Sequence, residues 1–149
     1  MILRKITILE VQYTAYTLAE QMMQWDEPIP SFETRYPNVL ESCVATPFQM
    51  FNGKVLYSGL LKKASILFYL MIKNHPFENG NKRIAMATLF LFLARNQKWI
   101  RVEPKILYKF AVKVARSKPK YKDRALRKIY DFLKKYLEPL DMSIVRSKA

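Results

Sequence analysis

The sequence lacks the features of a disulfide-stapled, zinc-binding or membrane-spanning protein. Its single cysteine, Cys43, cannot form an internal disulfide, and no Cys/His cluster has zinc-ligand spacing. Cys43 reads most simply as a small buried apolar side chain. The longest apolar stretch, Ile84 to Ala94, covers 11 residues between Arg83 and Arg95, well short of the ~20 that cross a bilayer. Met1-Ile2-Leu3-Arg4-Lys5-Ile6-Thr7 places its charges after the first apolar residues and does not have the layout of a signal peptide. These absences predict a cytoplasmic protein in a reducing compartment, with no membrane contact. Glycine is equally scarce, at 3 in 149 residues, and no linker, repeat or low-complexity tract interrupts the chain. A single domain over 1–149 is expected, since a chain of this length with half its residues apolar buries one sizeable core but not two.

Acidic residues are also few: 12 against 26 basic ones, a formal charge of +14. The excess is uneven, because residues 1–97 carry 10 basic and 7 acidic side chains while residues 98–149 carry 16 and 5. Such a field gathers anions, so nucleotides, nucleic acid, acidic proteins and membrane headgroups are all admissible on charge alone.

With so little glycine and apolar residues spaced by three and four, the fold class is all-α, with about six helices. Thr7-Ile8-Leu9-Glu10 fits a capping box opening a first helix to about Trp25, which Asp26-Glu27-Pro28-Ile29-Pro30 breaks. Pro37 opens a second helix ending near Pro47. Asn52-Gly53 between apolar residues predicts a short flap or hairpin, with Phe48, Gln49, Asn52 and Gly53 as its marked positions. Ser58 is placed to cap a third helix through Ile72, and a fourth runs from Asn81 to about Asn96. Pro104 opens a fifth helix to about Ser117, and Pro119 precedes a sixth, over about 119–138, before a short tail at 141–149.

The lone histidine, His75, stands where an apolar helix meets a polar turn. There an imidazole titrating near neutrality can take a proton from an attacking hydroxyl, although many histidines simply pack or face solvent. Gly80-Asn81-Lys82-Arg83 then starts a helix whose free amides and positive dipole end suit a phosphate, with two full charges beside them. An ordinary turn capping a core helix is the simpler alternative. Phe77 reads as a core anchor holding the loop. Glu78 and Asn79 are oxygen donors that can meet a magnesium ion, or equally a solvated carboxylate and a turn asparagine.

The whole segment His75-Pro76-Phe77-Glu78-Asn79-Gly80-Asn81-Lys82-Arg83 resembles the signature of the Fic and death-on-curing (Doc) families, His-Pro-Phe-x-Asp/Glu-Gly-Asn-Gly/Lys-Arg. Arg35 through Ser42, with Leu40-Glu41-Ser42, resembles a second stretch of Doc-like proteins, and the likeness covers roughly residues 5–115. The resemblance implies a Fic fold with His75 as general base. Gly80 and Asn81 would form the anion nest, Arg83 the phosphate clamp, and Lys82 would share in nucleotide placement. It implies ATP or another nucleoside triphosphate with magnesium. Fic enzymes transfer AMP to protein hydroxyls, whereas Doc passes a phosphate to a translation elongation factor and is held inactive by a partner antitoxin encoded beside it, which the resemblance implies to be short and acidic here.

Lys82, where adenylylating Fic enzymes have glycine, and Met86, where they have a second arginine, favour the Doc-like reading. Asn79 stands where the family places its magnesium-binding Asp or Glu. That departure keeps open a third reading, a catalytically weak Fic-fold binding or regulatory protein. No self-inhibitory Ser/Thr-x-x-x-Glu-Gly/Asn element is present.

The last helix interleaves Lys120, Lys122, Arg124, Arg127, Lys128, Lys134 and Lys135 with Tyr121, Ile129, Tyr130, Phe132, Leu133, Tyr136 and Leu137. Packing of the apolar stripe on the core with solvated lysines outside explains it. Contact with RNA or the ribosome, or a dock for an antitoxin, are the functional alternatives.

Overall fold

A computed structural model describes residues 2–141, so the predicted 141–149 tail lies, except for Asp141, outside the described residues. Among them six helices carry the fold. α1 runs through α-helical Ile8–Glu10, a π-helical stretch Val11–Tyr16 and α-helical Thr17–Met22. α2 is Pro37–Ala45, α3 Gly59–Lys73, α4 Asn81–Arg95, α5 Pro104–Arg116 and α6 Lys122–Tyr136.

α3 and α4 form the centre. Every residue from Lys63 to Ile72 is buried, as are Ile84 to Phe90 and then Phe92 and Leu93, and a helix apolar on all sides is stable only when surrounded. The two pack on each other; α1 and α5 lie against α4, and α6 against α3. The outer helices need one stripe each: Leu107, Ala111 and Val114 on α5, and Ala125, Ile129 and Leu133 on α6 are buried at helical spacing. The lysine-rich remainder of α6 stays outside, so its apolar stripe is accounted for by the core.

The capping box at Thr7 is present: Glu10 N donates to Thr7 Oγ1 at 3.1 Å, and Thr7 N to Glu10 Oε1 at 3.2 Å. The π stretch was not expected. A buried stripe recurs every four residues, at Val11, Ala15 and Ala19 of α1 and Met23 just beyond it, with Tyr16 buried beside it. At 3.6 residues per turn such a stripe drifts by about 40° per step. Widening the helix over Val11–Tyr16 keeps the stripe against α4. α1 also ends at Met22 rather than near Trp25: Pro28 has no N–H for the Gln24 carbonyl, Asp26 takes φ 72°, and the Met23 and Glu27 carbonyls accept from Arg83.

Ser58 does sit at the start of α3, but its side chain makes no capping bond. The Asn52-Gly53 hairpin is present: β1 (Met50–Phe51) pairs antiparallel with β2 (Lys54–Val55). Both turn residues have positive φ, 50° and 74°, the geometry that suits the twist of a two-residue hairpin. A second pairing, β3 (Lys98–Ile100) with β4 (Leu137–Pro139) in register Trp99↔Glu138, replaces the expected helical end at Leu137. Cys43 is fully buried, which pushes its thiol up to about 12. No described helix is long and apolar enough to cross a membrane.

Candidate functional site

The segment His75–Arg83 joins the two central helices, and its shape is held from three sides. Phe77, 1% exposed, is the expected anchor. Its ring lies 6.0 Å from that of Tyr16 on α1 and 5.8 Å from that of Phe32. The Pro76 carbonyl accepts from Tyr36 N at 2.8 Å, tying the loop to the start of α2. Asn81 closes the loop on itself, its Oδ1 accepting from Phe77 N at 2.9 Å and its Nδ2 donating to Phe77 O at 2.8 Å. The Asn81 side chain therefore fixes the curve of the loop and leaves its backbone amide, not its side chain, to the nest.

At the end of this loop Gly80 takes φ 74° and forms the N-cap of α4. With no side chain there, nothing from the cap residue meets the amides of Asn81, Lys82 and Arg83, which face outward as an anion site does. A Cβ at this position would come 2.9 Å from Ile29 Cγ1, so glycine is required both for the backbone angle and for the approach of the 23–31 loop.

A cavity of about 220 Å³ opens at this helix start, lined by His75, Glu78, Asn79, Gly80, Asn81, Lys82 and Arg83 together with Asp26, Ile72, Tyr108 and Ala115. The sequence-predicted residues of the motif thus converge on one space. His75 is exposed, with φ 49°, an angle that histidine tolerates better than most residues. Asn81 Nδ2 lies 3.5 Å from His75 Nδ1. That contact is long, and the same Nδ2 makes its shorter bond to Phe77 O. Lys82 is half-buried on the wall.

Arg83 is 2% exposed and commits two N–H groups to backbone, Nη1 to Met23 O at 3.2 Å and Nη2 to Glu27 O at 2.6 Å. Its charge stays at the cavity while its fork holds the 23–27 turn, so it is as much an organiser of that turn as a clamp.

Asn79 faces away from the role its position suggests. Its Oδ1 accepts from Gly80 N at 2.8 Å, and its Nδ2 donates to Glu27 Oε2 at 3.0 Å. Glu78 lines the cavity as an exposed carboxylate. Among the described residues no three His, Cys, Asp or Glu side chains converge as metal ligands. Asn79 Oδ1 is thus engaged by its own backbone, and Glu78 is the exposed carboxylate of the pair.

Two of the polar residues that line the cavity, Asp26 and Tyr108, lie outside the motif. Asp26, at φ 72° in the turn after α1, accepts from Tyr108 Oη at 3.2 Å. A hydrogen bond from the Glu27 backbone, then the Tyr108 hydroxyl, then the Arg83 and Lys82 charges hold its carboxyl below the usual range. Burial and the adjacent Asp26 raise the Tyr108 hydroxyl. Asp26 carried only a helix-breaking signal, and Tyr108 none, because only folding brings 26, 83 and 108 together.

The flap residues do not line this cavity. Phe48 packs edge-to-face on Phe92 at 6.1 Å with Lys5 and Lys63 over its ring. The hairpin precedes α3 and His75 follows it, so the two lie at opposite ends of a 15-residue helix about 22 Å long. The hairpin leaves Met50, Phe51, Val55 and Leu56 exposed. In the Arg35–Ser42 stretch, Arg35 stacks over the Phe32 ring at 4.3 Å, and Leu40 is core.

No curated protein and no solved structure matches the chain. A sequence profile described as Fic/DOC family matches residues 8–93. That span runs from α1 through the hairpin and α3 to nearly the end of α4, and contains the whole cavity-forming motif; on this match the chain belongs to the Fic/DOC family.

Proposed function

We propose that the chain is a nucleotide-dependent transferase of the Doc type, moving a phosphate from ATP, or another nucleoside triphosphate, to a Ser or Thr hydroxyl of a translation protein such as an elongation factor, and so arresting growth. The observation that carries this is the convergence of His75, Lys82 and the uncapped amides of α4 on one cavity. In this reading the phosphates sit on those amides with Lys82 and Arg83 neutralising their charge. His75 takes the proton of the attacking hydroxyl as its oxygen bonds to the γ-phosphorus. The bond to the β,γ-bridging oxygen breaks, and ADP leaves with the electron pair. Charge neutralisation by cations and amides suits a site whose Asn79 is turned to its own backbone.

AMP transfer is the alternative activity. Met86, at the position of the second arginine of adenylylating relatives, is fully buried in the core and offers the cavity nothing, which supports phosphate over AMP. The geometry of Asn79 favours instead the third reading, a Fic-fold protein that binds and regulates without appreciable turnover. A short acidic antitoxin is the proposed partner that holds the protein inactive, in keeping with the +14 charge.

Incubation with ATP labelled at the α or the γ phosphate, magnesium and a cell extract, beside a His75→Ala control, separates these readings. His75-dependent γ label on a protein is the expected result. α label would replace phosphoryl by AMP transfer, and no His75-dependent label in either arm would refute both enzyme readings.

A further inference from the structure

A second groove, of about 220 Å³, lies between α5 and α6. Its rim carries Lys113, Lys118, Arg124 and Lys128, with the Tyr121 ring between them, over an apolar floor; no acidic side chain lines it. All four cations are exposed, and none is in an ion pair among the described residues. The groove on the other side of α6 differs, for Asp123 lines it and its Arg127 Nε lies 3.6 Å from Asp131 Oδ1. Four unpaired like charges around one small groove repel one another, so the arrangement is favourable chiefly when a polyanion occupies it.

Tyr121 narrows the choice of polyanion. It is 41% exposed, and the Arg124 guanidinium and Lys120 ammonium sit 4.9 and 5.1 Å from its ring centroid. A base that stacks on this ring takes the place of one of the cations over it, which then meets an adjoining phosphate.

We infer that the α5–α6 groove binds single-stranded nucleic acid, with Lys113, Lys118, Arg124 and Lys128 on phosphates and Tyr121 under a base. A duplex hides its base faces and would leave the ring unused. An acidic protein partner relies on buried apolar anchors, and a membrane surface on a broad apolar face. Ile106 and Tyr121 are the only large apolar side chains that α5, α6 and their connection expose. Arg124 and Lys128 stand one helical turn apart, about 5–6 Å between Cβ atoms, which lets them reach neighbouring phosphates. The C-terminal turn of α5 separates the groove from the motif cavity, since Ala115 lines the cavity and Val114 and Ser117 the groove. Occupation of one therefore leaves the other open.

The test is fluorescence anisotropy with a labelled mixed-sequence single-stranded RNA of about 20 nucleotides, titrated between about 50 and 200 mM salt. Four phosphate contacts predict a slope of log K against log salt of about −3. The exposed quadruple variant Lys113→Gln, Lys118→Gln, Arg124→Gln, Lys128→Gln, verified as folded by circular dichroism, should lose binding by about 100-fold or more and flatten the slope. Tyr121→Ala should weaken binding by about tenfold at an unchanged slope. His75→Ala and saturating ATP should alter nothing, which keeps this result separate from the fate of the transferase reading. Unchanged binding in the quadruple variant overturns the inference. So does equal or tighter binding of the matching duplex, of a polyglutamate peptide or of anionic phosphatidylserine vesicles.

Discussion

Gly80→Ala tests the joint on which the motif cavity is built. Alanine at φ 74° occupies left-handed backbone, a cost of roughly 1–2 kcal/mol. Its Cβ would also stand 2.9 Å from Ile29 Cγ1 and 3.5 Å from Cγ2. Relieving that overlap moves the 23–31 loop, at a typical overpacking cost of about 1–3 kcal/mol. The two terms together give a destabilisation of roughly 2–5 kcal/mol. Gly53→Ala is the matched control, because φ there is also 74° and nothing lies within 4 Å of the added carbon; it should lose only the backbone share. Urea unfolding followed by circular dichroism reads both, with equal m-values required for the comparison. Ile29→Ala should narrow the gap by removing the obstructing branch. Equal losses in the two glycine variants would refute the steric account of Gly80.

Asp26→Asn removes a negative charge that faces Lys82 and Arg83 across the cavity, so the affinity for ATP measured by calorimetry should rise severalfold; a fall would show that the carboxylate assists binding. Because its folded pKa lies below 3.8, the ionised Asp26 contributes stability that is present above that value and lost as pH falls through the lower folded one. The acid limb of a stability profile below about pH 4 should therefore flatten in Asp26→Asn. Cys43, with its thiol pushed up to about 12, should resist a thiol reagent at pH 8 in the native protein and react on unfolding; fast native labelling would contradict its burial. Asn79→Asp restores a carboxylate beside the phosphates, so ATP binding by this variant should come to depend on magnesium more steeply than in the wild type; identical magnesium titrations would rule out lost metal charge as a defect of the site.

Local signals in the sequence were faithful where short-range physics decides the outcome. The Thr7–Glu10 capping box, the Asn52-Gly53 hairpin, and the nearly unbroken apolar runs of α3 and α4 all appear where their residues place them. Pro37, Pro104 and Pro119 mark real starts. What was not legible depends on contacts between distant residues. The π stretch of α1 packs against α4, β3 and β4 pair across 37 or more residues of chain, and Arg83 bonds the backbone just past α1 from 60 positions away.

The site divides in the same way. His75, Phe77, Gly80 and Lys82 were visible as a local pattern. The bond of Asn79 to Glu27, the loop-closing bonds of Asn81 and the presence of Asp26 and Tyr108 come from the tertiary fold. Asn52-Gly53 marks a hairpin from its residues alone, yet its place at the far end of α3 from the motif is set by the fold.

The central claim is that the loop before α4 handles nucleotide phosphate. Titration of isotope-labelled protein with ATP, followed by amide chemical shifts, tests it most directly. The account predicts that the largest shifts fall on Gly80, Asn81, Lys82 and Arg83 and vanish in a Lys82→Ala variant that remains folded. Shifts confined to the α5–α6 groove, or none at millimolar ATP, would contradict it.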